Sequence, residues 1–347
     1  MATRLPGFDF LDQSEPILTE KLTLDGHSVE VTEVFWSYWF LAAERQAMFM
    51  RRARGEAGPW TRDPVLSSHR FTNAYRASDR VSQYLLQHVV YDRAWDGPDT
   101  VFRVLLFKIF NRIDTWEHLV ATVGEPEIAT FDPARYADAL DQRKSDDQRL
   151  YSAAYIMPSP RRGHARKHAD HLDLLDEVVS TGLMESLLGA KSLAKLFELL
   201  LAIPSFGKFL AFQYAIDLNY SPHFDFDEMD FVVPGPGALR GISKCFSDSG
   251  SMSAEEIIRS MATNAPDFLS SCEVEFLDLW GRPLQLIDCQ NLFCEVDKYA
   301  RVAHPHVGGV GPKRIKQKYT VDPAPLPLGY PPKWGLPFSA DSPALLT

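Results

Sequence analysis

The sequence predicts a mainly α-helical protein with at most a small β-hairpin. Long segments, such as residues 33–56 and 65–90, repeat apolar residues at spacings of three and four, which gives a helix one buried face. Alternating strand patterns are scarce. The best is VEFLDLWGRPLQLID, in which two short apolar runs flank Gly281 and Pro283. We therefore expect helices along most of the chain and a hairpin near residues 274–288.

Further helices follow in the middle of the chain. Residues 100–123 keep the helical period, and residues 169–203 supply two more helices. The most apolar stretch, Leu183–Ile203, is interrupted by charged residues such as Lys191 and Glu198. This pattern is typical of an amphipathic core helix, so we expect no membrane span.

The length of 347 residues fits one large or two modest domains. We expect a lead-in segment at residues 1–30 and a single large helical domain at residues 31–310. A division of this domain into two lobes near residues 160–180 stays open. Seven prolines fall between residues 323 and 347, so residues 311–347 are predicted to form a proline-rich C-terminal tail.

The charge balance limits the classes of partner. With 36 basic and 46 acidic residues, the formal net charge is −10, which excludes a uniformly basic nucleic-acid coat but not a local basic face. The first ten residues lack the apolar core of a signal peptide, and the four cysteines form no CxxC pair. We expect an intracellular protein, cytoplasmic or nuclear, with no membrane partner.

The segment LLAIPSFGKFLAFQYAIDL has the pattern of a helix-hairpin-helix. One apolar helix ends at Ile203–Pro204, a tight turn contains Gly207, and a second helix begins at Lys208. The free N–H groups at the start of that helix, together with the lysine, would suit a phosphate. A plain connection between two bundled helices explains the same residues.

A second candidate anion site follows a short acidic segment. Residues 217–230 carry five acidic residues and no Lys or Arg, which suggests acid–base chemistry or divalent-ion binding, with Asp230 as the main candidate. The next turn has the sequence PGPG, with Gly235 and Gly237 before a predicted helix. Two cations on that helix share one face because they are four residues apart: Arg240 and Lys244. Solvated acids and a structural turn are the alternative explanation.

The segment PWTRDPVLSSHRFTNAYRASDR alternates arginine with aromatic residues. Guanidinium groups bind phosphates and aromatic rings stack on bases, so this pattern suits nucleic acid. The candidate phosphate contacts are Arg70, Arg76 and Arg80, and the candidate base contacts are Asn73, Tyr75 and Asp79. A buried network of arginine and aspartate that locks helices together is the alternative.

The segment DCQNLFCEVDKYAR places several polar residues at helical spacing. Glu295 and Lys298 are three residues apart, and Asp297 and Arg301 are four apart, so each pair shares a helix face. Such a face could hold an acid, a base and a guanidinium in one site. Ordinary helical salt bridges are the alternative.

These four segments together resemble the helical domain of 5-hydroxymethyluracil DNA kinases and the related alpha-glutamyl/putrescinyl thymine pyrophosphorylases. The resemblance runs from about residue 30 to 305. It implies a helix-hairpin-helix fold like that of DNA glycosylases and work on thymine-derived bases. The positions that match the family's segments are Arg76, Asp79, Asp230, Gly235, Gly237, Asp288, Asn291, Glu295, Lys298 and Arg301.

The resemblance and the residues lead to one main functional hypothesis. We expect an enzyme that modifies a flipped or single-stranded base derived from 5-hydroxymethyluracil in DNA, by transfer at the 5-methylene with loss of phosphate or pyrophosphate. The predicted catalytic residues are Asp230, Asp288, Glu295 and Lys298. The predicted phosphate contacts include Arg301, and Asn291 joins the base contacts.

Two alternatives stay open at this point: a glycosylase that excises a modified pyrimidine, and a non-catalytic module that binds nucleic acid or nucleotides. The expected partners are DNA or a modified pyrimidine nucleotide, with a small-molecule amine or amino acid as donor. Mg²⁺ is the candidate cofactor, and the sequence does not decide whether a metal is required.

Overall fold

Helices make up most of the chain in the computed structural model, which describes residues 17–309, 311–321, 324 and 326–346. Within these residues the α-helices are α1 Glu33–Ala53, α2 Pro64–Ser68, α3 Arg80–Tyr84, α4 Gly97–Phe110, α5 Ile113–Val123, α6 Pro133–Ser145, α7 Lys167–Ser180, α8 Leu183–Leu188, α9 Leu193–Leu201, α10 Lys208–Asn219, α11 Pro236–Cys245, α12 Ala254–Thr263, α13 Ala265–Ser270 and α14 Leu286–Ala303. The mainly α-helical class predicted from the sequence is confirmed.

Several predicted helices are broken where a residue takes a left-handed backbone. Residues 100–123 form two helices, because Asn111 ends α4 with φ 48°. Residues 169–203 form three rather than two, and Gly182 opens α8 with φ 73°. After α3, the chain continues as a π-helical turn at Leu85–Val90.

The sheet lies outside the predicted hairpin and is one strand larger. Strands β1 (Thr19–Leu24) and β2 (His27–Thr32) pair antiparallel through a turn in which Asp25 and Gly26 both have positive φ, the backbone of a tight hairpin turn. Strand β3 (Phe246–Asp248) adds to β2. The prediction for residues 274–288 was wrong, since they contain only an isolated bridge between Leu279 and Arg282 before α14 begins. The lead-in prediction for residues 1–16 lies outside the described residues.

The chain divides into two units. The first takes in the residues up to Asp79, then Val232–Leu328 and the segment from Ala344; the second consists of Arg80–Phe231 and Gly329–Pro343. The interval 160–180 therefore lies inside the second unit. The proline-rich tail contributes short bridges to both units, and its Leu328 and Tyr330 are fully buried.

In the first unit, α14 packs against α1, α11, α12 and α2. Its approach to α11 depends on two glycines. A Cβ at Gly241 would lie 2.0 Å from the carbonyl oxygen of Phe293, and one at Gly237 would lie 2.8 Å from the sulfur of Cys294. Gly237 was interpreted from sequence as part of a phosphate-binding turn; in the structure it is a packing position on α11.

In the second unit, α4 packs against α7, α8 and α10. Helices α9 and α10 pack on each other around the predicted hairpin, but Gly207 has an ordinary φ of −87° and caps α10. The left-handed residue of the turn is Ser205, with φ 70°. A fold like that of DNA glycosylases stays a prediction. No helix in the described part of the chain is both long and apolar enough to cross a membrane.

Candidate active site around the last long helix

One buried carboxylate on α14 holds three cations. The carboxylate of Asp297 lies 3.2 Å from Arg240 Nε, 3.0 Å from Lys244 Nζ and 2.6 Å from an Arg301 terminal nitrogen. Burial alone would raise the pKa of Asp297, but the hydrogen bonds and charges of Arg301 and Lys244 outweigh it, and the pKa is lowered. Asp297 is therefore ionised at neutral pH, and the three cations exceed it by two unit charges. We name this group the Asp297 cluster.

The cations of this cluster are not all saturated. The Arg301 Nε atom is buried and has no hydrogen-bond partner among the described residues. Arg240 keeps about a third of its side chain exposed, whereas Lys244 and Asp297 are buried. The excess charge is thus reachable from solvent through Arg240.

A glycine-rich segment lies against the same cations. A Cβ at Gly309 would lie 3.4 Å from Lys244 Cε, and one at Gly311 would lie 2.9 Å from Arg240 Cδ. Gly309 has φ 153° and Gly311 has φ 137°, a backbone that other residues avoid. The two glycines therefore let the backbone lie directly against the side-chain carbons of Lys244 and Arg240.

The other face of α14 meets the segment that was predicted to contact bases. The N–H of Thr72 donates to Glu295 at 3.0 Å, and the same carboxylate pairs with Lys298 at 2.6 Å. The N–H of Asn73 donates to Asp79 at 2.8 Å. Four residues predicted from two distant segments are thereby brought together: Asn73, Asp79, Glu295 and Lys298.

Arg45 on α1 joins this group and was not predicted. Its guanidinium donates to the carbonyl of Thr72 at 2.9 Å and to the side-chain oxygen of Asn73 at 2.6 Å. Its signal in the sequence is weak, because Arg45 stands next to Glu44 within an apolar helix. Arg45 fixes the loop that presents Asp79.

Asp79 has the most strongly perturbed carboxyl group of this face. Burial raises the pKa of Asp79 to about 7, the nearby Glu295 carboxylate adds to the increase, and the Asn73 N–H opposes it. A carboxyl that titrates near neutral pH can take up a proton during a reaction and release it again. Perturbed groups of this kind are typical of functional sites, although structural networks also produce them.

Asp288 lies on the same side of α14 as Glu295, and both of its carboxylate oxygens accept hydrogen bonds from the backbone. Its two oxygens accept from the N–H of Arg76 at 2.7 Å and from the N–H of Gln285 at 2.9 Å, the latter within a capping box. Burial raises the pKa of Asp288 to about 6 against these hydrogen bonds. This geometry starts the helix and anchors the loop after Tyr75.

Two predicted base contacts differ in their surroundings. The side-chain nitrogen of Asn291 is buried and has no partner among the described residues, so an amide donor is available one turn before Glu295. The hydroxyl of Tyr75 donates to the carbonyl of Arg282 at 2.7 Å and accepts from the N–H of Leu279 at 3.3 Å. Tyr75 therefore holds the segment before α14.

The other predicted residues have different surroundings. Asp230, Gly207, Lys208 and Arg80 belong to the second unit, and each is exposed. Arg70 is exposed in the first unit, where its N–H donates to the carbonyl of Gln317 at 3.1 Å. Gly235 is the buried N-cap of α11. Their predicted roles stay predictions.

Comparison with known proteins identifies the family. The family model described as "5-hmdU DNA kinase, helical domain" matches residues 32–309, which is most of the chain. The chain belongs to this family. The resemblance inferred from the four sequence segments is thereby confirmed.

A curated relative matches this chain over part of its own length. The chain is 27% identical over 296 residues to a protein of Bacillus phage SP10 named "5-hmdU DNA kinase". The match covers 78% of this chain and 45% of that relative, so the chain spans less than half the length of the relative it matches. No solved structure matches the chain significantly.

Proposed function

We propose that this chain takes part in the enzymatic modification of 5-hydroxymethyluracil in DNA and that the Asp297 cluster binds a phosphate group of that reaction. Membership of the 5-hmdU DNA kinase helical domain family supports the substrate class. The single observation that carries the site is the excess of three cations over one carboxylate.

Electrostatics favours an anion at this cluster. A buried positive charge without a counter-charge is costly, so a cluster with two excess charges is stabilised when an anion binds. Arginine offers paired N–H donors that match phosphate oxygens, and each charge-assisted bond is stronger than a neutral one. The exposed part of Arg240 and the unpartnered Nε of Arg301 are the donors available to that phosphate.

The step that we propose is displacement at the 5-methylene carbon of a phosphorylated base. The nitrogen of an amine or amino acid attacks that carbon, a C–N bond forms, and the C–O bond to the phosphate or pyrophosphate breaks. The leaving group departs with the electron pair as an anion, which Arg240, Lys244 and Arg301 stabilise. Asp79, whose pKa is raised to about 7 by burial, takes the proton that the amine loses, and Glu295 lies beside it. Mg²⁺ would add positive charge to the leaving phosphate.

The deciding experiment is intact-mass spectrometry of short single-stranded oligonucleotides. Each carries thymine, 5-hydroxymethyluracil or its 5-phosphate, and is incubated with the chain, Mg²⁺ and mixed amines. We expect a mass change that corresponds to exchange of phosphate for one amine. An abasic product would indicate a glycosylase, which the relatives do not favour, and binding without any mass change would indicate a module without catalysis. Either result would contradict the proposed step.

Matched variants connect the activity to the cluster. Arg301→Gln removes one donor and should weaken binding of the 5-phosphate oligonucleotide about 10- to 100-fold, the cost of one charge-assisted hydrogen bond. Arg54→Gln changes an exposed arginine at the end of α1 and serves as control. Equal affinity of the two variants would show that the phosphate does not bind at the Asp297 cluster.

A further inference from the structure

Three potential metal ligands meet at the end of α14. Glu33 is the first residue of α1, His304 follows the last residue of α14, and His306 lies two residues later. One ligand atom from each lies within 4.8 Å of the other two. Among the described residues, no other group of three His, Cys, Asp or Glu side chains has its potential ligand atoms this close together.

The local structure positions these side chains. The ring nitrogen Nε2 of His306 contacts the carboxylate of Glu33, and Nε2 of His304 lies 2.7 Å from the hydroxyl of Ser37. A hydrogen bond to the second nitrogen of an imidazole is the usual way to orient a metal-binding histidine. The turn after α14 is closed by the N–H of Val307, which donates to the carbonyl of His304 at 3.1 Å.

The contact between His306 and Glu33 leaves polar atoms unsatisfied. The side chain of His306 is only 2% exposed, and its Nδ1 has no hydrogen-bond partner within the described residues. The second carboxylate oxygen of Glu33 is buried and also lacks one there. Buried polar atoms without partners cost free energy, so a simple ion pair does not account for the whole group.

The donor set indicates the kind of metal. Two imidazoles and one carboxylate suit Zn²⁺ and neighbouring transition metals better than Mg²⁺ or Ca²⁺, which prefer oxygen ligands alone. Three atoms no more than 4.8 Å apart lie within about 2.8 Å of a common point, so shifts below about 1 Å reach ordinary Zn–ligand distances.

We propose that Glu33, His304 and His306 bind one Zn²⁺-class ion per chain. Three protein ligands leave at least one coordination position for water or for an oxygen of a bound molecule. The metal proposal rests on the ligand geometry and does not depend on the proposed reaction.

Metal content tests this proposal without any assay of activity. The purified chain is stripped with a chelator, dialysed against buffered Zn²⁺ and measured by inductively coupled plasma mass spectrometry. We expect about one Zn²⁺ per chain. Glu33→Gln and His306→Ala should each weaken Zn²⁺ binding at least tenfold, whereas His27→Ala, an exposed histidine on β2, should not. Equal binding by all four proteins would overturn the proposal, as would the absence of bound Zn²⁺ in the folded wild type.

A second measurement covers the case in which a variant does not fold. Co²⁺ added to the stripped wild type should give visible absorption bands of a four- or five-coordinate ion, and Zn²⁺ should displace it. Weak bands of an octahedral, solvent-like ion would contradict a site with three protein ligands. Because neither readout involves DNA, failure of the metal proposal is distinguishable from failure of the proposed function.

Discussion

In the second unit the guanidinium of Arg103 is completely buried, yet its nitrogens are supplied with acceptors. Its acceptors are the carbonyls of His88, Val89 and Pro126 and the carboxylates of Asp92 and Glu125. The rings of Trp95 and Trp116 lie 3.8 Å and 5.0 Å from its central carbon. In the first unit, by contrast, three cations share Asp297, and one buried nitrogen of Arg301 has no acceptor within the described part of the chain.

The difference separates two uses of buried charge. A cation whose donors are all satisfied by the protein holds backbone segments in place and has no donor left for a ligand. In a cluster with excess charge and an unpartnered donor, burial removes the cations from water, and the hydrogen bonds within the protein do not fully compensate for the lost solvation. Such a cluster gains stability when a ligand of opposite charge binds, and this is why we place the phosphate there.

The largest expected effect comes from breaking the satisfied network. Arg103→Met should lower the free energy of unfolding by about 3–5 kcal/mol, because buried carbonyls and two carboxylates lose their donor. Arg301→Gln should cost less than that, since Asp297 keeps two cations and the excess of buried positive charge falls. Urea unfolding followed by circular dichroism measures both. If Arg301→Gln lowered the free energy of unfolding as much as Arg103→Met, the distinction between a satisfied buried cation and an excess of buried cations would be wrong.

A second test concerns the helix contact that supports the Asp297 cluster. Gly241→Ala places a methyl group 2.0 Å from the Phe293 carbonyl oxygen and should destabilise the fold by about 1–3 kcal/mol or more. Gly207→Ala in the second unit enters open space at an ordinary φ and should stay within about 0.5 kcal/mol of wild type. Similar denaturant midpoints for the two variants would show that α11 does not need its close approach to α14.

The third test uses the pH dependence of Asp79. Folding raises its pKa from 3.8 to about 7, so the folded state binds the proton more tightly. Its contribution to stability is complete below pH 3.8 and is lost as the pH rises towards 7. Asp79→Asn should therefore be less sensitive to pH than wild type over this range, as measured by urea unfolding at successive pH values. Parallel pH curves for both proteins would show that Asp79 does not titrate in this window.

The same group sets an expectation for the reaction. If Asp79 accepts the proton, the rate of the proposed step should rise with pH and level off above about 7, since the base must be ionised. Asp79→Asn should lose most of the rate, and the remaining rate should no longer rise with pH. An unchanged pH profile in Asp79→Asn would assign the base to another residue.

The sequence predicted the helical class, and helical spacing placed Glu295 and Lys298 on one side of α14. Asp288 and Asn291 were predicted from the resemblance to the family. The sequence also predicted the segment that contains Asn73 and Asp79. That Thr72 donates to Glu295 across 223 positions follows from tertiary packing and has no local signal.

Other parts of the site carry features that the sequence does not resolve. The spacing of Asp297 and Arg301 predicted a shared helix face, and Arg301 was a predicted phosphate contact, but a spacing of four does not tell a buried carboxylate from an exposed one. Arg240 and Lys244 were predicted on one face of α11, but the approach of this helix to α14 depends on Gly237 and Gly241, and Gly237 was interpreted as part of a turn. His304 and His306 fall just beyond the periodic part of α14, where no pattern marked them.

The smallest expected effect concerns the turn between α9 and α10, where the second unit's own backbone adopts a costly conformation. Ser205 has φ 70°, a left-handed backbone that costs a side-chain-bearing residue about 1–2 kcal/mol. Glycine avoids that cost but loses about 0.5–1 kcal/mol through its greater freedom in the unfolded chain. Ser205→Gly should therefore raise the free energy of unfolding by about 0.5–1 kcal/mol in urea. Ser186→Gly within α8 lacks this compensation and should lower it by a similar amount. If Ser205→Gly instead destabilised the protein, side-chain contacts of Ser205 would have to fix this turn, and its backbone alone would not define the hairpin.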